Sequence, residues 1–395
     1  MIYYMKEVNE MKLLKIIVEG NNIFKDGIIE FDFTAQDKVI DKENLNHLFS
    51  NIYSQNSFAI AGINASGKTT VLNYLSIIFD VFFRNKQLNE VDGKYLLGDR
   101  IQFTVFYYDN NHIFKLDSTV KLNETNEYEF VEETIRVKDS KKVTSKKELY
   151  VFHDKELLVI RSDLDQKYLA KDISINVVQT KNNPMYVGNS LNLTNYNFYM
   201  PNWNVPQEVI KFFDSSIEYV RNAHNGGTYL KFYHQQEIFI SSILELEKYL
   251  SSGTIKGINV FSLIISSIEN GGYVLIDEIE NHFNKTIITT IFNLFKDEKI
   301  NPNGATLIFS THYSELLDEF NRKDNIYITL KDRNNRSQNE LVNYSDKVKR
   351  NDLKKSEVYL SNYIKGTAPQ YRATMELKKY IKGLANEETV KNGKN

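Results

Sequence analysis

Gly62-Ile63-Asn64-Ala65-Ser66-Gly67-Lys68-Thr69 fits the spacing G-x-x-x-x-G-K-[ST], the pattern of a phosphate-binding loop. A short apolar strand, Ser57-Phe58-Ala59-Ile60-Ala61, precedes it, and Thr70-Val71-Leu72-Asn73-Tyr74-Leu75-Ser76-Ile77-Ile78-Phe79 reads as a helix behind it. Strand–loop–helix is the setting that such a loop requires. The two glycines let the backbone curl, so Gly62, Asn64, Ala65, Ser66, Gly67 and Thr70 are expected to cradle phosphate, aided by the positive end of the helix. Lys68 would reach the β- and γ-phosphates, and the Thr69 hydroxyl would ligate Mg²⁺.

The rest of the composition excludes more than it suggests. In 395 residues, 42% are hydrophobic and 25% charged, as in an ordinary globular protein. A net charge of −2 and a pI near 6.4 give no global attraction to nucleic acid, so any such contact needs a local patch. With no cysteine, disulfides, thiolate zinc sites and thiol nucleophiles are ruled out, which fits a cytoplasmic location. No apolar run approaches the roughly 18 residues of a membrane span, and the first ten residues lack a signal peptide's apolar core. Met5 and Met11 are candidate alternative starts. The abundance of Lys, Asn, Ile, Tyr and Phe suggests an AT-rich bacterial genome.

Working outward, residues 12–18 and 27–33 read as two strands around the turn-rich Glu19-Gly20-Asn21-Asn22, and residues 35–56 as polar loop. Ile101–Tyr108 and His112–Leu116, joined by Asp109-Asn110-Asn111, form a hairpin signature. The basic run from Lys138 to Lys147 reads as a solvated loop with the option of DNA-phosphate contact. Turns are expected at Asn182-Asn183-Pro184 and Met200-Pro201-Asn202-Trp203. Amphipathic helices are expected over 207–219 and 237–250. Neither an internal repeat nor a long heptad array is present, which argues against a coiled-coil arm.

A second group of motifs lies downstream. Tyr273-Val274-Leu275-Ile276-Asp277-Glu278-Ile279-Glu280 is an apolar strand ending in acids. Asp277 would hold Mg²⁺ through water, and Glu278 would polarise an attacking water. Before it, Ser251-Ser252-Gly253 opens a helix with Ile258, Phe261, Ile264, Ile265 and Ile268 on its apolar positions. That helix start is another anion-binding N-terminus. Beyond it, Ala305–Thr311 is a strand leading to His312, a position from which an imidazole can sense a γ-phosphate.

This ordered set, Gly62–Thr69, Leu250–Gly253, Asp277–Glu278 and His312, resembles the ABC-type ATPase heads of the SMC, RecF and OLD-like group within the AAA ATPases. Leu250-Ser251-Ser252-Gly253-Thr254 looks like the signature of OLD-like and RloA-like ATPases of bacterial anti-phage defence, and departs from the Leu-Ser-Gly-Gly-Gln of transporters. The resemblance implies an α/β fold: a P-loop ABC-type head with an antiparallel β-hairpin-rich subdomain and a helical signature subdomain. It divides the chain into an N-terminal lobe at 1–100, a hairpin-rich insert at 101–160 and a mixed or helical insert at 161–250. A C-terminal lobe at 251–330 and an extension at 331–395, a candidate partner-binding segment, complete the division. It further implies a homodimer sandwiching two ATP, with higher assembly left open. Lys68 and Thr69 then bind phosphate and Mg²⁺, Glu278 is the catalytic base, and His312 is the switch. Ser251, Ser252 and Gly253 act in trans, and the loop after Asp277-Glu278 falls near Asn281-His282. Two family features have no clear counterpart: for the metal-facing glutamine Gln102 and Gln179 are weak candidates, and Asn21-Asn22-Ile23-Phe24 replaces an aromatic adenine-contacting motif.

After Leu330 the chain turns polar through Lys331–Arg336, and Gly366–Pro369 sets off a last helix carrying Tyr371, Met375, Leu377, Tyr380, Ile381 and Leu384, with 385–395 frayed. The C-terminus reads as complete, without room for the Toprim nuclease of OLD proteins, so an effector is expected on another polypeptide. Three functions compete. The first is a regulatory ATPase of an anti-phage system gating a separately encoded nuclease or toxin. The second is a RecF- or SMC-like repair ATPase that clamps DNA in an ATP-dependent way. The third, a transporter's nucleotide-binding subunit, lacks both its signature and a membrane partner.

Overall fold

The computed structural model of the chain describes residues 11–164, 169–180, 184–191, 206–223, 226–281, 283–332, 335, 337–350, 352–367 and 375–382. The expectations for the first ten residues, Asn182-Asn183, Met200–Trp203, His282, Arg333-Asn334, Arg336, the step at Pro369, Tyr371, Leu384 and the tail lie outside the described residues.

In chain order the strands are β1 (Lys12–Glu19), β2 (Ile28–Asp32), β3 (Leu45–Phe49), β4 (Ile52–Gln55), β5 (Ser57–Gly62), β6 (Arg100–Asp109), β7 (His112–Leu122), β8 (Tyr128–Asp139) and β9 (Leu157–Ile160). They continue with β10 (Val187–Asn189), β11 (Ile217–Asn222), β12 (Thr228–Phe232), β13 (Ile238–Ile240), β14 (Tyr273–Ile276), β15 (Thr306–Thr311), β16 (Ile326–Lys331) and β17 (Asn339–Asn343). The helices that matter here are α1 (Lys68–Ile78), α2 (Gln207–Phe213), α3 (Ser252–Asn270) and α4 (Lys285–Lys296).

Two sheets organise the molecule. One runs β10-β14-β15-β5-β16-β17, parallel through β16 with β17 antiparallel at its edge. Its central strands are nearly unbroken apolar runs because both faces are buried. Phe58 and Ile60 of β5, Tyr273 and Leu275 of β14 and Ile308 of β15 enter one core. Their neighbours Ala59, Ala61, Val274, Ile276, Leu307 and Phe309 enter another, with α3 and α4. The period-two alternation of a strand thus feeds two cores from one sequence.

The second sheet, β2-β1-β6-β7-β8-β9, is antiparallel. Its inner residues Ile16, Val18, Phe31, Phe103, Val105 and Tyr107 share the first core with Val71, Leu72, Leu75 and Ile78 of α1. Helix α1 is therefore held between the sheets by its buried apolar residues, while Thr69, Asn73 and Ser76 follow one another at i, i+4 and i+7 as a narrow polar line. The expected hairpin is β6–β7, with Asp109 paired to His112 and Asn110 and Asn111 at φ +47° and +64°, the positive values that a two-residue turn demands. Because β6 also pairs along β1, residues 101–160 share a sheet with the N-terminal strands.

Several expectations need correcting. Residues 35–56 are not all loop: β3 and β4 form a hairpin. The helix expected over 207–219 stops at Phe213, where Asp214 Oδ1 accepts from the Ser216 N–H (2.9 Å) and hydroxyl, and Ile217 and Val220 become the buried face of β11. The helix expected over 237–250 is instead β13 followed by a 3-10 segment, Ile243–Lys248. The region from Gln207 into α3 is accordingly mixed: β11-β12-β13 form a sheet packed with Ile210 of α2 and Ile255 and Ile258 of α3. The basic run is folded too. Lys138 Nζ donates to Glu148 O (2.6 Å) and Val151 O (2.7 Å), while Val143 and Leu149 bury against Phe106 and Tyr108. Among the described residues no helix is long and apolar enough to cross a membrane.

Candidate nucleotide site

The loop after β5 owes its shape to residues that tolerate unusual backbone. Ala65 and Gly67 have φ of +57° and +99°, a region that costs an L-residue energy and a glycine little. A Cβ on Gly62 would stand 2.1 Å from Thr329 Oγ1 and 2.5 Å from Ser66 Oγ, so only glycine fits. Ser66 closes the turn by donating to Ile63 O (2.7 Å) and sharing a hydrogen bond with Thr329 Oγ1 (2.6 Å). Thr329 brings β16 into the support of the loop. Gly67 then caps the start of α1 in left-handed conformation, leaving the first N–H groups of the helix without intrahelical partners.

Around this loop lies a cleft of about 590 Å³, lined by Asn64 to Thr70 and by Glu278, Asn281, His312 and Asn339. Lys68 is 5% exposed, and its ammonium donates to Gly62 O (3.1 Å), Ile63 O (3.4 Å) and His312 Nδ1 (3.2 Å). Burial lowers its pKa, opposed by the charges of Glu278, Asp277 and Glu280. An ammonium only donates, so Nδ1 must accept and the imidazole proton sits on Nε2. That nitrogen is 2.9 Å from Glu278 Oε1, and Glu278 Oε2 accepts from Asn281 Nδ2 (2.5 Å). A continuous line Lys68–His312–Glu278–Asn281 results. Glu278 itself has φ +47°, a strained backbone for a non-glycine residue.

Beside that line sits a second group. Thr69 Oγ1 donates to Asp277 Oδ2 (2.8 Å), and the other Asp277 oxygen accepts from the Ser310 hydroxyl. Ser310 Oγ also takes the Glu278 N–H (2.8 Å), so one serine fixes both carboxylate residues. Hard oxygen donors from a hydroxyl and a carboxylate suit Mg²⁺, which keeps several of its own waters. Glu280 Oε1 accepts from the His312 N–H (2.5 Å), tying the end of β15 to the turn after β14.

The structure thus brings together Gly62, Lys68, Thr69, Asp277, Glu278 and His312. Ser251, Ser252 and Gly253 lie at the start of α3, where Ser251 Oγ caps the Thr254 N–H (3.0 Å), both serines are exposed, and none of the three lines the cleft. Gln102 is exposed on β6, 3.4 Å from Thr119 Oγ1, and neither it nor Gln179 lines the cleft. Phe24 is buried and packs beneath Gly67, so it supports the loop from below.

Sequence reasoning missed Ser310, Glu280, Thr329 and Asn339. The first two had a signal, since Ser310 stands two residues before His312 and Glu280 two after Glu278. Thr329 and Asn339 had none.

A family model of AAA domains, described as a candidate AbiEii toxin of a Type IV TA system, matches residues 57–318, about two-thirds of the 395 residues. The match runs from the start of β5 past His312. No curated protein matches the chain.

Proposed function

The chain belongs to that AAA-domain family, and on this premise we propose that it is an ATP-hydrolysing switch of a bacterial toxin–antitoxin or anti-phage system, using Mg²⁺. The observation that carries the reading is the line from Lys68 through His312 to Glu278, 3.2 Å and 2.9 Å long at its two links, running beside the Thr69–Asp277 pair. Lys68 faces the phosphates and Glu278 is the general base for water. His312 holds the carboxylate in place by donating from Nε2. Thr69 and Asp277 would hold the Mg²⁺, which when bound neutralises phosphate charge.

Ser251 and its neighbours, exposed at the start of α3, complete the site of a second copy, giving a dimer with two nucleotides between its protomers. The family's description, which refers to a toxin, supports a reading in which nucleotide turnover governs a toxic activity through a separately encoded nuclease or toxin partner. The protein would act in the cytoplasm.

Binding of ATP with Mg²⁺ by the parent, the Lys68→Ala variant and the Glu278→Gln variant tests this. Expected are binding by the parent, loss in Lys68→Ala, and a trapped ATP-bound dimer in Glu278→Gln. Equal ATP affinity in parent and Lys68→Ala would remove the site assignment. Purifying tagged Glu278→Gln with its neighbouring gene products tests the context. A protein partner held only with ATP supports the switch, and DNA alone would favour a repair clamp.

A further inference from the structure

The outer face of the small sheet β11-β12-β13 takes no part in the chemistry above, and none of its residues lines the nucleotide cleft. Its inner side is an ordinary core in which Ile217, Val220, Leu230 and Ile240 are buried. Strand alternation then turns Tyr219 and Arg221 of β11, Tyr229 and Lys231 of β12 and Phe239 of β13 outward. Arg221 stands opposite Tyr229, and Tyr229 opposite Phe239, so one row across the sheet carries a guanidinium and two rings. Phe239 is 54% exposed, on the kind of face that is ordinarily polar when an antiparallel sheet meets water.

The side chains of this face are arranged, not loose. Arg221 Cζ lies 4.9 Å from the centre of the Tyr229 ring and 5.2 Å from that of Tyr219, within cation–π range. Arg221 Nη2 donates to Glu237 Oε1 (2.8 Å), and Tyr219 Oη donates to the same oxygen (2.5 Å). The guanidinium is thereby held while its side chain stays 59% exposed. The Tyr229 and Phe239 rings are 5.2 Å apart and tilted by 54°, so they are not stacked on one another. Rings and a planar cation displayed on a sheet surface are what unpaired nucleobases stack on. Two cations, Arg221 and Lys231, stand here against one carboxylate, Glu237, a local positive excess in a chain whose net charge is −2. Phe239 is the one wholly apolar side chain among the outward residues, which suits a protein partner less well. Both bonds to Glu237 use Oε1, and Oε2 is left to accept from a ligand donor. The 2′-hydroxyl of RNA is such a donor, and DNA lacks it.

We infer that this face binds single-stranded RNA. Bases stack on Phe239 and Tyr229, Arg221 and Lys231 pair with phosphates, and a ribose hydroxyl donates to Glu237.

The test is fluorescence anisotropy of the full chain with a labelled single-stranded RNA of about ten nucleotides, beside DNA of the same sequence and the RNA duplex. The single-stranded RNA should bind best, its affinity falling with salt at a log–log slope of about −1.4 for two phosphate contacts. Phe239→Ala should weaken binding about tenfold, the effect of one lost base stack. Arg221→Lys keeps the charge and loses the plane, so it should lose affinity at an unchanged salt slope. Melting reports folding of the variants, and if Phe239→Ala does not fold the Arg221→Lys result decides. Absence of binding, equal binding of DNA, preference for the duplex, or parental affinity in Phe239→Ala each overturns the inference. So does light scattering in which the parent self-associates and Phe239→Ala does not, which would make the face a contact between copies. ATP enters none of these outcomes, so the nucleotide reading stands or falls separately.

Discussion

The two large sheets grip the same helix but differ in what their strands can carry. In the parallel sheet, β5, β14 and β15 are buried on both faces, so polar chemistry has nowhere to go except past their ends. Gly62, Asp277 and His312 all lie there. In the antiparallel sheet, inner residues such as Phe103 and Val105 alternate with Gln102 and Thr104 on the outer side, and none of its residues lines the cleft. The difference teaches that one sheet presents the candidate site at its strand ends while the other clamps α1 from behind. Polar stitches join them: Asp32 N donates to Tyr327 Oη (2.8 Å), Leu13 N to Tyr273 Oη (2.8 Å), and the buried Lys12 ammonium to Asn303 O (3.0 Å), Gly304 O (2.9 Å) and Gly271 O (2.5 Å).

This division of labour breaks most visibly at Glu278. Glu278→Gln should lower ATP turnover at least about a hundredfold while stability stays within about 1 kcal/mol of the parent, as phosphate release and thermal melting would record. Turnover at the parental rate would take the reacting role away from the strand end. The opposite outcome belongs to Phe31, which stacks on Tyr327 at 4.1 Å and meets Phe33 and Phe58 at 4.9 and 5.1 Å. Phe31→Ala should cost about 3–5 kcal/mol in denaturant unfolding, with the ATP affinity of the folded protein unchanged. A fall in affinity without a fall in stability would show that the clamp takes part in binding.

Asp32 sharpens the comparison through pH. Burial pushes its carboxyl up from 3.8 to about 6, against the Thr34 hydroxyl and N–H, the Tyr150 hydroxyl and Lys15. The folded state therefore binds the proton more tightly than the unfolded state. That contribution to stability is complete below about pH 4 and is lost as pH rises through about 6. Asp32→Asn, which removes the titration, should gain on the parent by up to about 2 kcal/mol between pH 4 and pH 7. Equal pH dependence in the two proteins would mean that the carboxylate is adequately solvated. The smallest effect is expected from Tyr327→Phe, which deletes one stitch between the sheets at about 1 kcal/mol. Denaturation midpoints at constant slope would measure it, and a loss of ATP turnover beyond that would indicate that the stitch also aligns the loop.

Much of this was legible in the sequence, for identifiable reasons. β5, β14 and β15 announce themselves because strands buried on both faces must be apolar throughout, and their polar terminators stand out against that background. The β6–β7 hairpin was legible from Asp109-Asn110-Asn111. The region from 206 to 250 was not. Val209, Ile210, Phe213 and Ile217 fit a helical period, but β-branched residues also fit a strand, and pairing with β12 settled the matter from Ile217 on. Asn339 was invisible for another reason: Ile23, Phe24 and Gly67 reach it from more than 270 positions away in the sequence, and no local pattern encodes such a meeting.

The double burial of the central strands also has a consequence in time. Backbone amides of β5 and β15 can meet solvent only when both cores open together, so their hydrogen exchange should follow global unfolding. The small sheet β11-β12-β13, with Arg221 and Phe239 on an exposed face, has its own core and is free to open locally. The platform that holds the loop is thus the slow part of the molecule, and the segment leading into Ser251 is its fast part.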